Sequence, residues 1–420
     1  MPLLIVIGYV WPEPASSAAG SRMLSLIELY LEQGWRVIFA SAADKSPHRF
    51  MLEQWGVAEH IIQLNDSSFD RWLEHENPQA VLFDRFMLEE QFGWRVAQVC
   101  PSAMRILDME DCHALRQARQ HSVKEQRALQ PADLNSELAL REIAAIYRCD
   151  LTLVISSYEM ALLQQHYLVP AFLLCYCPFL VKNLPVQNDT GYDQRQHFIA
   201  IGNFRHAPNW HAVLWLKDAI WPQIRKQLPQ AELHIYGAYP PPKATALHNP
   251  QQKFLVKGWA EDAVSVMQQA RVCLAPLAFG AGLKGKLLDA MRCGTPSVTT
   301  SVGAEGMQRH NDWAGIIADD AMSLADAAVN LYQNKELWHW SQQQGFDIAR
   351  AKFSYEQQAP LVWQQLQLTL QQLPEQRSRN FTGQMLQHHA WRSTKFMGQW
   401  IETKNRLAAL QQPDGISEKS

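Results

Sequence analysis

Short apolar runs alternate with amphipathic stretches along the first half of the chain. The runs are Leu3–Ile7, Arg36–Ala40, Ile61–Leu64, Ala80–Phe83, Met104–Leu107, Leu151–Ile155 and Phe172–Pro178. Their lengths fit buried strands. Between them, apolar residues return at helical spacing, as in Met23–Glu32 and Ser136–Arg148. Alternating strand and helix signals predict a parallel sheet with helices on both faces. From Val181 to Gln196 the pattern breaks into polar residues with Pro185, Asn188 and Gly191, which reads as a linker.

The second half repeats the pattern without repeating the sequence. Its strand candidates are His197–Ile201, Glu232–Tyr236, Lys253–Lys257, Val272–Pro276, Ser297–Thr300 and Gly315–Ala318. Helices are expected at Asn209–Lys226, Lys286–Cys293 and Tyr355–Leu373, the last ended by Pro374. The expected organisation is therefore α/β, with two Rossmann-like β/α/β domains at 1–184 and 197–354. A linker at 185–196, a helix at 355–373 and a basic helical tail at 374–420 complete it.

Composition narrows the class. Hydrophobic residues at 47% and charged residues at 19% exclude a largely disordered chain. A net charge of −3 offers no global field for nucleic acid, which is not expected as a partner. Seven cysteines without metal-type spacing read as buried thiols, which fits a cytoplasmic location. The tail differs from the body: between Arg377 and Arg406 its six Arg and Lys residues are opposed only by Glu402. Met397, Trp400, Ile401 and Leu407 recur there at helical spacing. The tail reads either as a helix packed on the body or as peripheral contact, through 375–410, with the inner face of a membrane.

Candidate chemistry sits at the carboxyl ends of strand candidates, where open α/β sheets bind ligands. The loop Gly280-Ala-Gly282-Leu-Lys284-Gly-Lys286 leaves a strand and opens a helix. Its glycines admit close backbone approach, its helix N-terminus favours phosphate, and its lysines add charge. Gly202 and Arg205 lie on a second such loop, Gly237 on a third and Trp259 on a fourth, where an indole can flank a base. In the first half, Gly20, Ser21 and Arg22 lie between a strand and its helix. After Leu107 comes Asp108-Met-Glu-Asp111-Cys-His113-Ala-Leu-Arg116, a cluster suited to acid/base or hydroxyl-binding work. An ordinary helix cap is the competing reading of Asp108 or Asp111. No second ligand cluster supports a metal site there.

The order and spacing of these motifs resemble GT-B glycosyltransferases of the family 4-like group. The resemblance rests on Gly202, Pro208-Asn209, Gly258-Trp259-Ala-Glu-Asp262, Pro276-Leu277, Gly280 to Lys286, Asp289-Ala-Met291, Gly294-Thr-Pro296 and Gly303-Ala-Glu305-Gly306. It spans about residues 197–355, with a looser match in the first half. It implies a retaining enzyme that uses a nucleotide-diphosphate sugar as co-substrate, needs no cofactor or metal, and takes a glycan, lipid-linked or small-molecule acceptor. Arg205 and Lys286 would neutralise the diphosphate, Asp289 would hold ribose, and Glu305 would line the donor pocket beside Lys284 and Gly282. His113 and Asp111 would face the transferred sugar, with Gly20, Ser21, Arg22 and Arg116 on the acceptor side. Many family members carry a Glu eight positions before the ribose-binding acid; here that position is Ala281. The alternatives are a non-catalytic GT-B-like scaffold and another GT-B enzyme, such as a sugar-nucleotide epimerase.

Overall fold

The computed structural model describes residues 1–186, 190–309 and 312–410; linker residues 187–189 and tail residues 411–420 lie outside it. The first sheet holds β1 (Leu3–Gly8), β2 (Arg36–Ser41), β3 (Ala58–Ile61), β4 (Ala80–Asp84), β5 (Met104–Asp108), β6 (Leu151–Val154) and β7 (Leu174–Tyr176). All pairings are parallel, in the order β3-β2-β1-β4-β5-β6-β7. Leu3, Ile5 and Ile7 pack into one apolar cluster and Leu4 and Val6 into another. Both faces are therefore covered, which explains why the strands read as continuous apolar runs.

The second sheet holds β8 (His197–Ile201), β9 (Leu233–Tyr236), β10 (Phe254–Gly258), β11 (Ala270–Ala275), β12 (Ser297–Thr299) and β13 (Gly315–Ile317). Its order is β10-β9-β8-β11-β12-β13, again parallel. Two Rossmann-like halves thus stand as expected, with a cleft between them at the carboxyl ends of their strands.

Several elements differ from expectation. The third strand is Ala58–Ile61 rather than Ile61–Leu64, because the polar-alternating Ala-Glu-His-Ile forms the half-exposed edge of the sheet. The helical stretch after β8 runs unbroken from Ala207 to Gln227, with one π turn at Leu216–Ile220 just before Pro222. A π turn changes the carbonyl partners around a proline that lacks an N–H. Pro374 does not end the chain's helical course; it occupies the first turn of a new helix, Leu373–Arg379.

The helix Tyr355–Gln371 returns to the first half. Tyr355, Ala359, Val362, Trp363 and Leu366 join the apolar cluster of Tyr30 and Trp35. Trp363 meets both rings edge-on at 5.2 and 6.0 Å. The end of the linker is anchored rather than loose: Arg195 is buried and donates to Thr295 Oγ1 at 2.7 Å and to the Cys293 carbonyl at 3.0 Å. The tail forms a helix, Phe381–Leu410, packed on the first half. The seven cysteines are buried thiols.

Candidate active site

A cleft of about 840 Å³ separates the halves and is lined by both. Two helix N-termini meet across it. One belongs to the helix Ala18–Glu32, capped by Ser17, and the other to Gly285–Arg292, which starts at Lys284. A Cβ on Gly285 would stand 2.4 Å from Ala18 Cβ, so only glycine lets the two ends approach this closely. Both ends carry backbone N–H groups without helical partners, and both project positive potential into the same space.

The glycine loop is held from the opposite half. Gly282 has φ +62° and its N–H donates to Glu159 Oε1 at 2.7 Å. A Cβ there would lie 2.8 Å from Asp111 Cβ. Ala281 is buried against the first-half core, in the cluster of Met109 and Cys112. Lys284 Nζ donates to the carbonyls of Ala281 at 2.9 Å and Gly282 at 2.5 Å. Lys286 Nζ donates to Asn209 Oδ1 at 2.6 Å. Burial lowers both amines to about 8. At neutral pH each still carries its proton, but at a cost that a bound anion would relieve.

On the first-half wall, the helix His113–Lys124 begins without a side-chain cap from Cys112. Two buried glutamates from elsewhere supply the missing acceptors. Glu142 accepts from the N–H groups of His113 and Ala114, each at 3.0 Å. Glu159 accepts from Cys112 N–H at 3.0 Å. The imidazole of His113 meets the Asp111 carbonyl through Nδ1 at 3.0 Å and Glu142 Oε1 at 3.4 Å, so Nε2 is the nitrogen these contacts leave over. Burial disfavours the imidazolium, but Glu142 and Asp111 outweigh it and the pKa rises. Burial also acts on the Asp111 carboxylate, yet its ion pair with Arg116 holds it well below the usual range.

The structure brings most of the expected residues together. His113, Asp111, Arg116, Ser21, Gly202, Arg205, Gly282, Lys284, Lys286 and Asp289 all line the cleft. Arg205 lies 3.8 Å over the Tyr239 ring, whose hydroxyl donates to Glu13 Oε2 at 2.9 Å across the cleft mouth.

Five expected residues stand elsewhere. Arg22 is not on the acceptor side; it is 2% exposed, pairs with Asp108 at 2.8 Å and donates to the Cys177 carbonyl at 2.6 Å. It fastens the end of β5 to the end of β7. Gly20 packs inward, where a Cβ would sit 2.5 Å from the Glu13 backbone. Gly237 likewise lies against the Gly202 carbonyl, 2.2 Å from where its Cβ would be. Trp259 stacks on His48 of the first half at 4.6 Å instead of facing the cleft. Glu305 is not in the cleft lining; it accepts two hydrogen bonds from Arg119 at 2.9 and 2.6 Å. Arg119 also donates to the Gly280 carbonyl at 2.9 Å, so one first-half side chain grips two second-half loops.

Further residues at or behind the cleft lie outside the expected set, apart from Glu110 as a member of the Asp108–Arg116 cluster. Arg85 directly follows β4, so the strand-end rule alone identifies its position. Glu110 sits beside it with φ +62°, and burial next to Asp108 raises its carboxyl to about 8. His206 is lowered to about 4 by burial. Glu159 carries the spacing of a helix-start box, Ser156 to Glu159, but reaches out to Cys112 and Gly282 instead of capping its own helix.

Residues 195–334 match the family model for Glycosyl transferases group 1. A 44.6 kDa protein of the cps region of Klebsiella pneumoniae is 25% identical over 167 residues, 37% of this chain and 43% of that relative's length. Sucrose-phosphate synthase from Thermosynechococcus elongatus superposes with a TM-score of 0.63 at 17% identity, covering 89% of this chain and 100% of that one. HepE from Anabaena, solved with UDP-glucose, superposes with a TM-score of 0.65 at 12% identity, covering 87% and 100%. Residues 195–334 are thus similar to Glycosyl transferases group 1, and the chain as a whole has the two-domain GT-B fold.

Proposed function

We propose that the protein moves a sugar from a nucleotide-diphosphate sugar to a hydroxyl acceptor, with retention at the anomeric carbon. The observation that carries this reading is the convergence of two helix N-termini with Lys284 and Lys286 in one interdomain cleft. Fixed dipoles and cations suit a leaving group that gains negative charge as its bond to the sugar breaks. Lys286 and Arg205 hold the diphosphate, and Asp289 holds the ribose. His113 meets the transferred sugar from the first half. The bond between the anomeric carbon and the phosphate oxygen breaks, the acceptor oxygen bonds to the same face, and its proton passes to the departing phosphate. No cofactor or metal is invoked for these steps.

The HepE structure was solved with UDP-glucose, which supports a nucleotide-sugar donor. The relative from a cps region supports a role in polysaccharide synthesis. The acceptor in this reading is a glycan, a lipid-linked molecule or a small molecule. Thermal-shift screening against UDP, GDP, ADP, TDP and CMP tests the donor site, because a ligand specific to the folded state raises its melting temperature. A rise with one nucleoside diphosphate is expected. No rise at millimolar ligand would favour the non-catalytic scaffold, and the acid missing at Ala281 would then mark lost activity.

A further inference from the structure

The tail helix Phe381–Leu410 is amphipathic in an unusual sense: it packs on the body through small and polar residues and turns its apolar face outward. Gly383 lies against the Tyr147 carbonyl, where a Cβ would come within 2.2 Å. Gly398 lies near Trp94. Gln387 donates to the Arg148 carbonyl at 3.0 Å, and Glu402 accepts from Ser67 N–H at 3.3 Å. Opposite these contacts stand Phe381, Met385, Phe396, Trp400 and Leu407, exposed by 74, 47, 62, 60 and 53%. At 3.6 residues per turn these five fall within about a third of the helix circumference. They form two groups on one face, Phe381 with Met385 near the start and Phe396 with Trp400 and Leu407 further on.

Charge decides what covers it. Lys404 borders the second group on one side, with its ammonium 5.3 Å over the Trp400 ring, and Lys395 borders it on the other. Neither lysine has an ion pair among the described residues. Glu402, the helix's single carboxylate, points to the body and is held by Arg406 and Ser67. Around Phe396, Trp400 and Leu407 the outward face is therefore largely apolar, interrupted by Gln399 and Thr403, with a lysine at each edge. That distribution matches an interface helix lying in the plane of an anionic lipid surface, with lysine stems reaching back to the headgroups. Among the described residues no helix is long and apolar enough to cross a membrane. We propose that the outward face of Phe381–Leu410 docks the first domain onto an anionic lipid surface.

Co-sedimentation of the full chain tests this. The vesicles are phosphatidylcholine alone and phosphatidylcholine mixed with phosphatidylglycerol. The wild-type chain is expected to pellet with the mixed vesicles and to be released by salt. Phe396→Asp combined with Trp400→Asp should lower partitioning about tenfold or more with the melting temperature unchanged. Lys395→Glu combined with Lys404→Glu should remove the preference for anionic vesicles, a result that does not depend on how the first pair folds. A wild-type chain that stays in solution with both vesicles would overturn the proposal. So would a dimer, seen by light scattering, that the Asp substitutions dissolve, because this face would then be covered by a second copy.

Discussion

On and behind the first-half wall of the cleft, charged groups are mostly committed to one another: Arg116 to Asp111 at the surface, and, buried behind it, Arg22 to Asp108 and Glu142 to the amides of a helix N-terminus. On the second-half wall, Lys284 and Lys286 have only neutral oxygens as hydrogen-bond partners. The first wall is thus preorganised and electrostatically closed, while the second is short of negative charge. Substitutions on the two walls should therefore fail differently, the first through stability and geometry and the second through binding of an anion.

The largest expected effect is on the fold. Arg22→Ala leaves Asp108 buried without its partner and should cost about 3–5 kcal/mol in urea unfolding. A loss below about 1 kcal/mol, in the range of surface pairs, would show that Arg22 is not the fastener described. Next is His113→Ala, expected to lower turnover about 100-fold while nucleotide affinity stays nearly constant. Collapse of affinity would move His113 from the sugar to the fold or the donor site.

Smaller effects probe the contacts between the walls. Arg119→Ala removes the grip on Glu305 and the Gly280 carbonyl and should raise the donor KM roughly tenfold. An unchanged KM would make the contact mere packing. Smallest is the pH effect. The Lys286 ammonium is lowered by burial to about 8, whereas the unfolded chain holds its proton up to 10.5. Diphosphate binding favours the protonated amine, so affinity should fall roughly fivefold from about pH 7 to about pH 9. Over the window between the two pKa values the unfolded chain binds more protons, so this group makes the unliganded protein more stable as pH rises. A flat affinity profile, read by calorimetry, would remove Lys286 from the diphosphate.

The apolar runs made the strand cores and their alternation with helices legible, because both faces of each parallel sheet are covered. The edge strand Ala58–Ile61 was not, since its half-exposed pattern carries little apolar signal. The glycine loop was legible because its backbone needs are written in residue type. Arg22 and Glu305 were misplaced because a charged side chain at a strand end reads the same whether it faces a ligand or a buried partner. Glu159 was invisible for a related reason: its spacing satisfies a local helix-start pattern, while its actual partners, Cys112 and Gly282, are distant in sequence and in different halves.

The central claim is that the second-half wall holds a nucleoside diphosphate through Lys286. Calorimetric titration of the diphosphate that raises the melting temperature, into the wild-type chain and into Lys286→Ala, tests it most directly. The account predicts saturable binding to the wild-type chain and an affinity at least about tenfold weaker in the variant, with the fold intact. Equal affinity in the two proteins would contradict it.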